Sequence, residues 1–151
     1  MTHLADLPHP DYDAQFYEGV PLKRLVAWVI DAIAITLLSI VSTLALGVLT
    51  LGMGFMFFPL ITVAMAFVYR WLTIASASAT PGMRFMGIEL RTGAGDRLDP
   101  TTAAMHTGLF LFLMATMIGG IATVVAIMVT ARRQGLPDLI LGTTAINRPA
   151  D

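Results

Sequence analysis

Cysteine is absent from the chain, which excludes disulfides, thiolate catalysis, iron–sulfur ligation and cysteine-based zinc sites. Charge is scarce too, at 13% of residues. There is no Ser-His-Asp ordering, no zinc-binding helix motif and no phosphate loop, so no enzyme and no cofactor or metal is indicated. A basic, aromatic-bearing face for nucleic acid is also missing. Residues 1–19 are polar, acidic and rich in Pro and aromatics rather than basic and then apolar, so they do not read as a cleavable leader, and the first apolar segment is expected to be retained.

Apolar residues are what the chain has instead. They make up 56% of its 151 residues, and the mean hydropathy is +0.77, well outside the composition of a soluble domain of this length. A hydrocarbon core of roughly 30 Å takes about 20 helical residues to cross, so the chain has room for three or four such segments and no separate soluble domain. The reading is an all-α, polytopic transmembrane helix bundle with the lipid bilayer as its main partner. It divides into a polar tail at 1–19, a membrane domain at 20–148 and a last tail at 149–151.

In the first tail, Pro8 and Pro10 oppose helix formation, and Phe16 and Tyr17 suit the headgroup layer. His3, Asp6, His9 and Asp11 can be drawn as a metal cluster, but on an irregular tail they carry little weight. The first helix is expected from Pro21 to about Gly47, since Pro is favoured at the first helical position. Lys23 and Arg24 mark its cytoplasmic end. A short uncharged turn leads to a second, antiparallel span at about 55–77.

The loop at 79–99 is the one substantial polar insertion. Alternation around Glu89 to Thr92, then Gly and Asp, predicts a small β-hairpin-like ribbon on the cytoplasmic membrane surface, with Arg84, Arg91 and Arg97. Asp99 and Pro100 form a helix start signal. The apolar run that follows, to Ala131, would be close to 45 Å long, too long for one upright span and too short for two. Two readings compete: one kinked span with the C-terminus outside, or two short helices at about 100–118 and 121–133 folded at Gly119-Gly120. Arg132, Arg133 and Arg148 favour the hairpin and a cytoplasmic C-terminus under the positive-inside rule.

Inside the first span Asp31 sits about 13 Å along the axis from Leu22, among Val29, Ile30, Ala32 and Ile33. A carboxylate at a helix centre costs at least about 2.5 to 3.5 kcal/mol, so a partner, water or a proton should accompany it. Arg70 reaches a similar depth in the antiparallel span, which makes Asp31 and Arg70 the expected ion pair; the competing reading is that Arg70 snorkels beside Tyr69 and Trp71. Arg24 lies two turns before Asp31 on the same stripe, within reach of a carboxylate arriving from Asp138.

An Arg at the start of the first helix, an Asp within it and a later Asp in a Gln-Gly-x-x-Asp-Leu-x-x-Gly-Thr context resemble the RDD family, named for those residues. The match falls on Arg24, Asp31 and Asp138, and the family's inter-span stretch is matched by Thr80, Pro81, Gly82 and Arg84, followed by Gly87. The chain departs from the pattern at Met83, where Lys is usual, at Pro137, where His is usual, and at His106, where Arg is common. The resemblance implies a multi-pass protein of the bacterial inner membrane, with ion or proton-coupled transport as one role.

Two functions are weighed. A small structural or accessory subunit would use Arg24, Asp31, Arg70 and Asp138 to lock its helices and dock on a larger membrane complex or on itself, with small residues such as Ala45 and Gly47, or Ser39 and Thr43, allowing close helix approach. A cation/proton-coupled transporter or oligomeric channel would use Asp31 as its coupling group. The ten methionines read as adaptable packing rather than a soft-metal path.

Overall fold

The computed structural model describes residues 6–149. The first long helix, α1 (Val20–Leu49), carries Pro in its first turn, and a short 3-10 helix (Met53–Phe57) hands over to α2 (Phe58–Ala77). At about 1.5 Å per residue the 30 residues of α1 extend about 45 Å, beyond a hydrocarbon core of roughly 30 Å. These two helical segments are long and apolar enough to cross a bilayer.

The burial pattern of α1 is inside out. Its buried positions are Val20, Ala27, Asp31, Ser39, Thr43 and Gly47, at intervals that keep them on one stripe, and most are small or polar. Leu22, Leu25, Val29, Ile33, Leu37 and Val41 face outward. The α2 helix likewise buries Ala66, Arg70 and Ile74 and exposes Leu60, Val63 and Leu72. Helices meet over small residues and turn large apolar ones outward when the surrounding medium is lipid, because no hydrophobic force then drives Leu inward.

After α2 the chain builds a compact cap. Thr80 caps α3 (Pro81–Phe85), its Oγ1 accepting from Met83 N at 3.2 Å. Gly87, at φ 68°, then turns the chain into β1 (Ile88–Arg91). The expected local ribbon is corrected here. Beyond a single bridge between Arg91 and Arg97, β1 pairs antiparallel with β2 (Thr144–Asn147), from the far end of the chain, in the register Ile88 to Asn147 and Arg91 to Thr144. Ile88, Leu90 and Ala145 join Val20, Ala27, Ile74, Ala79 and Leu98 in an apolar core under the cap. The described C-terminal strand therefore sits at the start of α1, where Lys23 Nζ donates to Asn147 Oδ1 at 2.7 Å and Asn147 Nδ2 donates to the carbonyls of Gln15 and Glu18.

The third apolar run folds as two helices, α4 (Pro100–Met114) and α5 (Met117–Val129), whose axes turn by 116°. Asp99 caps α4, accepting from the backbone of Thr101 and Thr102. The bend lies at Ala115 and Thr116 rather than at Gly119-Gly120. Thr116 caps α5 by accepting from Gly119 N at 3.0 Å, and a Cβ at Gly119 would overlap the Leu113 carbonyl at 2.5 Å. The glycine thus permits the close approach that the bend needs and is not itself the hinge. With 15 and 13 residues, the two helices extend about 22 Å and 20 Å, each short of a full crossing. A last short helix, α6 (Leu136–Leu141), beyond the helices expected from sequence, leads into β2.

Candidate functional site: two buried carboxylates and an adjoining cavity

The α6 turn is built around Asp138. Gly135 is its N-cap and Asp138 its third residue, so the carboxylate reaches back to accept from Gly135 N at 3.0 Å, one half of a capping box. Arg24 Nη2 of α1 lies 2.7 Å from the same oxygen, Oδ2. The other oxygen meets His106 Nε2 of α4 at 2.8 Å and Thr143 Oγ1 at 3.0 Å. Asp138 is fully buried and so joins α1, α4, α6 and the approach to β2 through one carboxylate. Burial alone would raise its carboxyl, but the Arg24 guanidinium and the His106 ring beside it hold it well below the usual carboxylate range.

Asp31 is the second hub. Its Oδ1 accepts from Tyr69 Oη of α2 at 2.9 Å and from Gly82 N at 2.9 Å, and its Oδ2 accepts from Thr80 Oγ1. The Thr-Pro-Gly stretch thereby has a physical reading. Thr80 caps α3 and donates to Asp31, and Pro81 occupies the first turn. Gly82 packs so closely on α1 that a Cβ would overlap the Ala27 carbonyl. Arg84, in the last turn of α3, is exposed, and its side chain stays apart from both hubs.

Arg70 is buried as well, but its Nη1 lies 4.0 Å from Asp31 Oδ2, beyond hydrogen-bond reach. Its guanidinium instead stacks 3.9 Å from the centre of the Phe110 ring of α4. Asp31 thus meets neutral donors first and a cation second. Beside Asp31 lies a cavity of about 50 Å³ lined by Arg24, Trp28, Asp31, Arg70, His106 and Phe110, among others. Met83, at the family's usual Lys position, also lines it.

Of the four network residues expected from sequence, Arg24, Asp31 and Arg70 line this cavity, and Asp138 joins them through Arg24 and His106. Tyr69, His106, Phe110 and Thr143 complete the network without having been singled out for it. Of these, Thr143 carried a signal as the last residue of the family's Asp context and His106 as a departure from the family pattern; His106 is buried on Asp138. A separate buried cluster joins Glu89 to Arg91 and, at 3.3 Å, to Arg148 Nε. His3 of the proposed tail cluster lies outside the described residues; among those described, no group of three or more His, Cys, Asp or Glu side chains is placed to hold a metal.

Neither a curated protein nor a solved structure matches the chain. The sequence model of the RDD family matches residues 19–142, a stretch that begins just before α1 and takes in both hubs and the inside-out helices that carry them. The protein belongs to the RDD family, and its apolar helices make it a membrane protein.

Proposed function

We propose that the protein is a small multi-pass membrane subunit whose Arg/Asp network clamps short helices into a fixed shape, for assembly within a larger membrane complex or with itself. The observation that carries this reading is the state of the two carboxylates. Asp138 accepts from four groups and Asp31 from three. A coupling carboxylate has to exchange a proton or a cation with water, and a carboxylate has only about four acceptor positions to offer. Both are occupied by fixed donors from several elements, as suits a structural clamp. The outward-facing apolar residues of α1 and α2 supply surface for lipid or for a partner's helices.

The orientation follows from charge. Lys23, Arg24, Arg84, Arg91, Arg97, Arg132, Arg133 and Arg148 all belong to segments at the end where α1 begins, whereas residues 50–57, at the opposite end, carry no charge. The positive-inside rule puts the cap, with both tails, in the cytoplasm of a bacterial inner membrane. Helices α4 and α5 then enter the bilayer from that side and return to it.

A cation/proton transporter using Asp31 is the second reading, favoured by the cavity that Asp31 borders. Purified protein in liposomes, assayed for cation-dependent proton flux beside Asp31→Asn, separates the two. The clamp reading expects no flux from the native chain and a lower melting temperature for the variant. Flux that Asp31→Asn abolishes while the variant remains folded would sink it.

A further inference from the structure

Among the loop-motif residues, Thr80, Pro81 and Gly82 build α3 and its hold on Asp31, and Gly87 makes the turn that follows. Arg84 takes part in neither. It is exposed, and its guanidinium has no hydrogen-bond or ion-pair partner among the described residues. Phe85 beside it is 80% exposed, whereas Gly82 and Met83 are buried. One short turn of helix thus faces the protein with two residues and presents a cation and an aromatic ring outward.

The level of α3 along the spans decides what those two side chains meet. Gly82 N donates to Asp31 and packs on the Ala27 carbonyl. Met83 shares a cavity wall with Trp28 of α1 and Arg70 of α2, and Trp71 follows Arg70. Trp28 is half-exposed. Tryptophans gather where the hydrocarbon meets the headgroups, and Arg24 lies four residues nearer the cap, about 6 Å along α1. An exposed ring at that level faces the acyl boundary, and a long cationic side chain reaches the phosphates above it.

We propose that Arg84 and Phe85 form a docking site for an anionic phospholipid of the leaflet next to the cap, with the guanidinium on the phosphate and the ring against the first acyl carbons. A guanidinium gives a phosphate two parallel, charge-assisted N–H donors. Charge selects the anionic headgroup. Arg84 has no counter-charge among the described residues, an anionic lipid supplies one, and a zwitterionic headgroup, neutral overall, does not. A lipid held there also braces α3 against α1, because Thr80 and Gly82, which grip Asp31, belong to the same turn. The proposal rests on the membrane placement of α1 and α2 and holds whether Asp31 serves as a clamp or as a coupling group.

Trp28 and Trp71, the two tryptophans of the chain, are the reporters. Full-length protein is reconstituted in phosphatidylcholine vesicles carrying a minor share of either brominated phosphatidylglycerol or brominated phosphatidylcholine. Tryptophan quenching is compared at about 0.15 M salt, where exposed charges beyond about 8 Å are screened. The expected relative association favours phosphatidylglycerol about fivefold, the effect of one Arg at a membrane surface. Arg84→Gln should bring the ratio close to one, and Arg97→Gln, at an exposed position in the loop after β1, should leave it as it is. Backbone amides of residues 82–85 should exchange more slowly in vesicles rich in phosphatidylglycerol than in phosphatidylcholine alone, in the native chain but not in Arg84→Gln. Equal quenching by the two lipids overturns the site. So does a preference that survives Arg84→Gln or disappears as fully in Arg97→Gln, since diffuse attraction to the whole cap then accounts for it. Exchange that ignores the lipid charge overturns the bracing of α3.

Discussion

Asp138 is fully buried and accepts from four donors, Arg24 of α1, His106 of α4, and Gly135 and Thr143 on either side of it in the chain. Asp138→Asn keeps the shape but leaves Arg24 buried without its counter-charge. Removing one partner of a buried pair typically costs about 3–5 kcal/mol, so the variant should melt well below the native protein by circular dichroism in detergent. A native melting temperature for Asp138→Asn would remove the clamp from the account. The pH response has a definite sign. The Asp138 carboxyl is lowered from its ordinary value of 3.8, so the folded state gains stability from it above that value and loses it as pH falls toward the lowered one. Melting temperature should therefore hold from pH 8 to about 5 and drop below about 4. Asp138→Asn should flatten that drop; an equally steep fall in the variant would assign it to other carboxylates.

Among elements, α3 shows what local sequence discloses and what it withholds. Thr80 and Pro81 announce a helix start, and Asp31 announces an unmet need for a partner, each within its own segment. That the first answers the second depends on a tertiary contact across 49 residues, which no local period records. The same holds for β1, whose alternation reads as strand but whose partner is Thr144–Asn147. A Gly and Asp turn signal lies nearer in sequence, which is why alternation there points to a local ribbon. Arg24 and Asp31 were legible because helical spacing and charge in an apolar run are local quantities, and Asp138 through its resemblance to the family's motif. Tyr69 and Phe110 were not, since aromatics near a membrane interface have an ordinary place there. Gly82→Ala tests the α3 contact directly. The added methyl meets the Ala27 carbonyl and separates Gly82 N from Asp31. Backbone amides of residues 82–85 should exchange hydrogen at least about tenfold faster in consequence, since a lost buried hydrogen bond is worth about 1–3 kcal/mol. Unchanged exchange there would mean that α3 is held by other means.

For the molecule as a whole, the cap and the bilayer divide the work. The cap gathers the sheet and the apolar core at one end, while α1 and α2 extend from it as the long helices and α4 and α5 are each shorter. The absence of cysteine makes this arrangement directly testable, because any introduced thiol is the one label site. Three positions sample three levels: Ala94→Cys in the exposed turn after β1, Met53→Cys in the connection between α1 and α2, and Ile118→Cys beside the α4–α5 bend, the last two 65% and 83% exposed. With a membrane-impermeant maleimide applied to right-side-out spheroplasts, Met53→Cys should label, and Ala94→Cys should label only after the membrane is opened. Ile118→Cys should resist the impermeant reagent on both sides yet react with a lipid-soluble maleimide, because two helices of about 20 Å entering from the cap stop inside a core of about 30 Å. Labelling of Ile118→Cys from outside would instead show that α4 crosses the membrane. The hairpin would then be two spans in a locally thinned bilayer, and the partial depth inferred from helix length would be wrong.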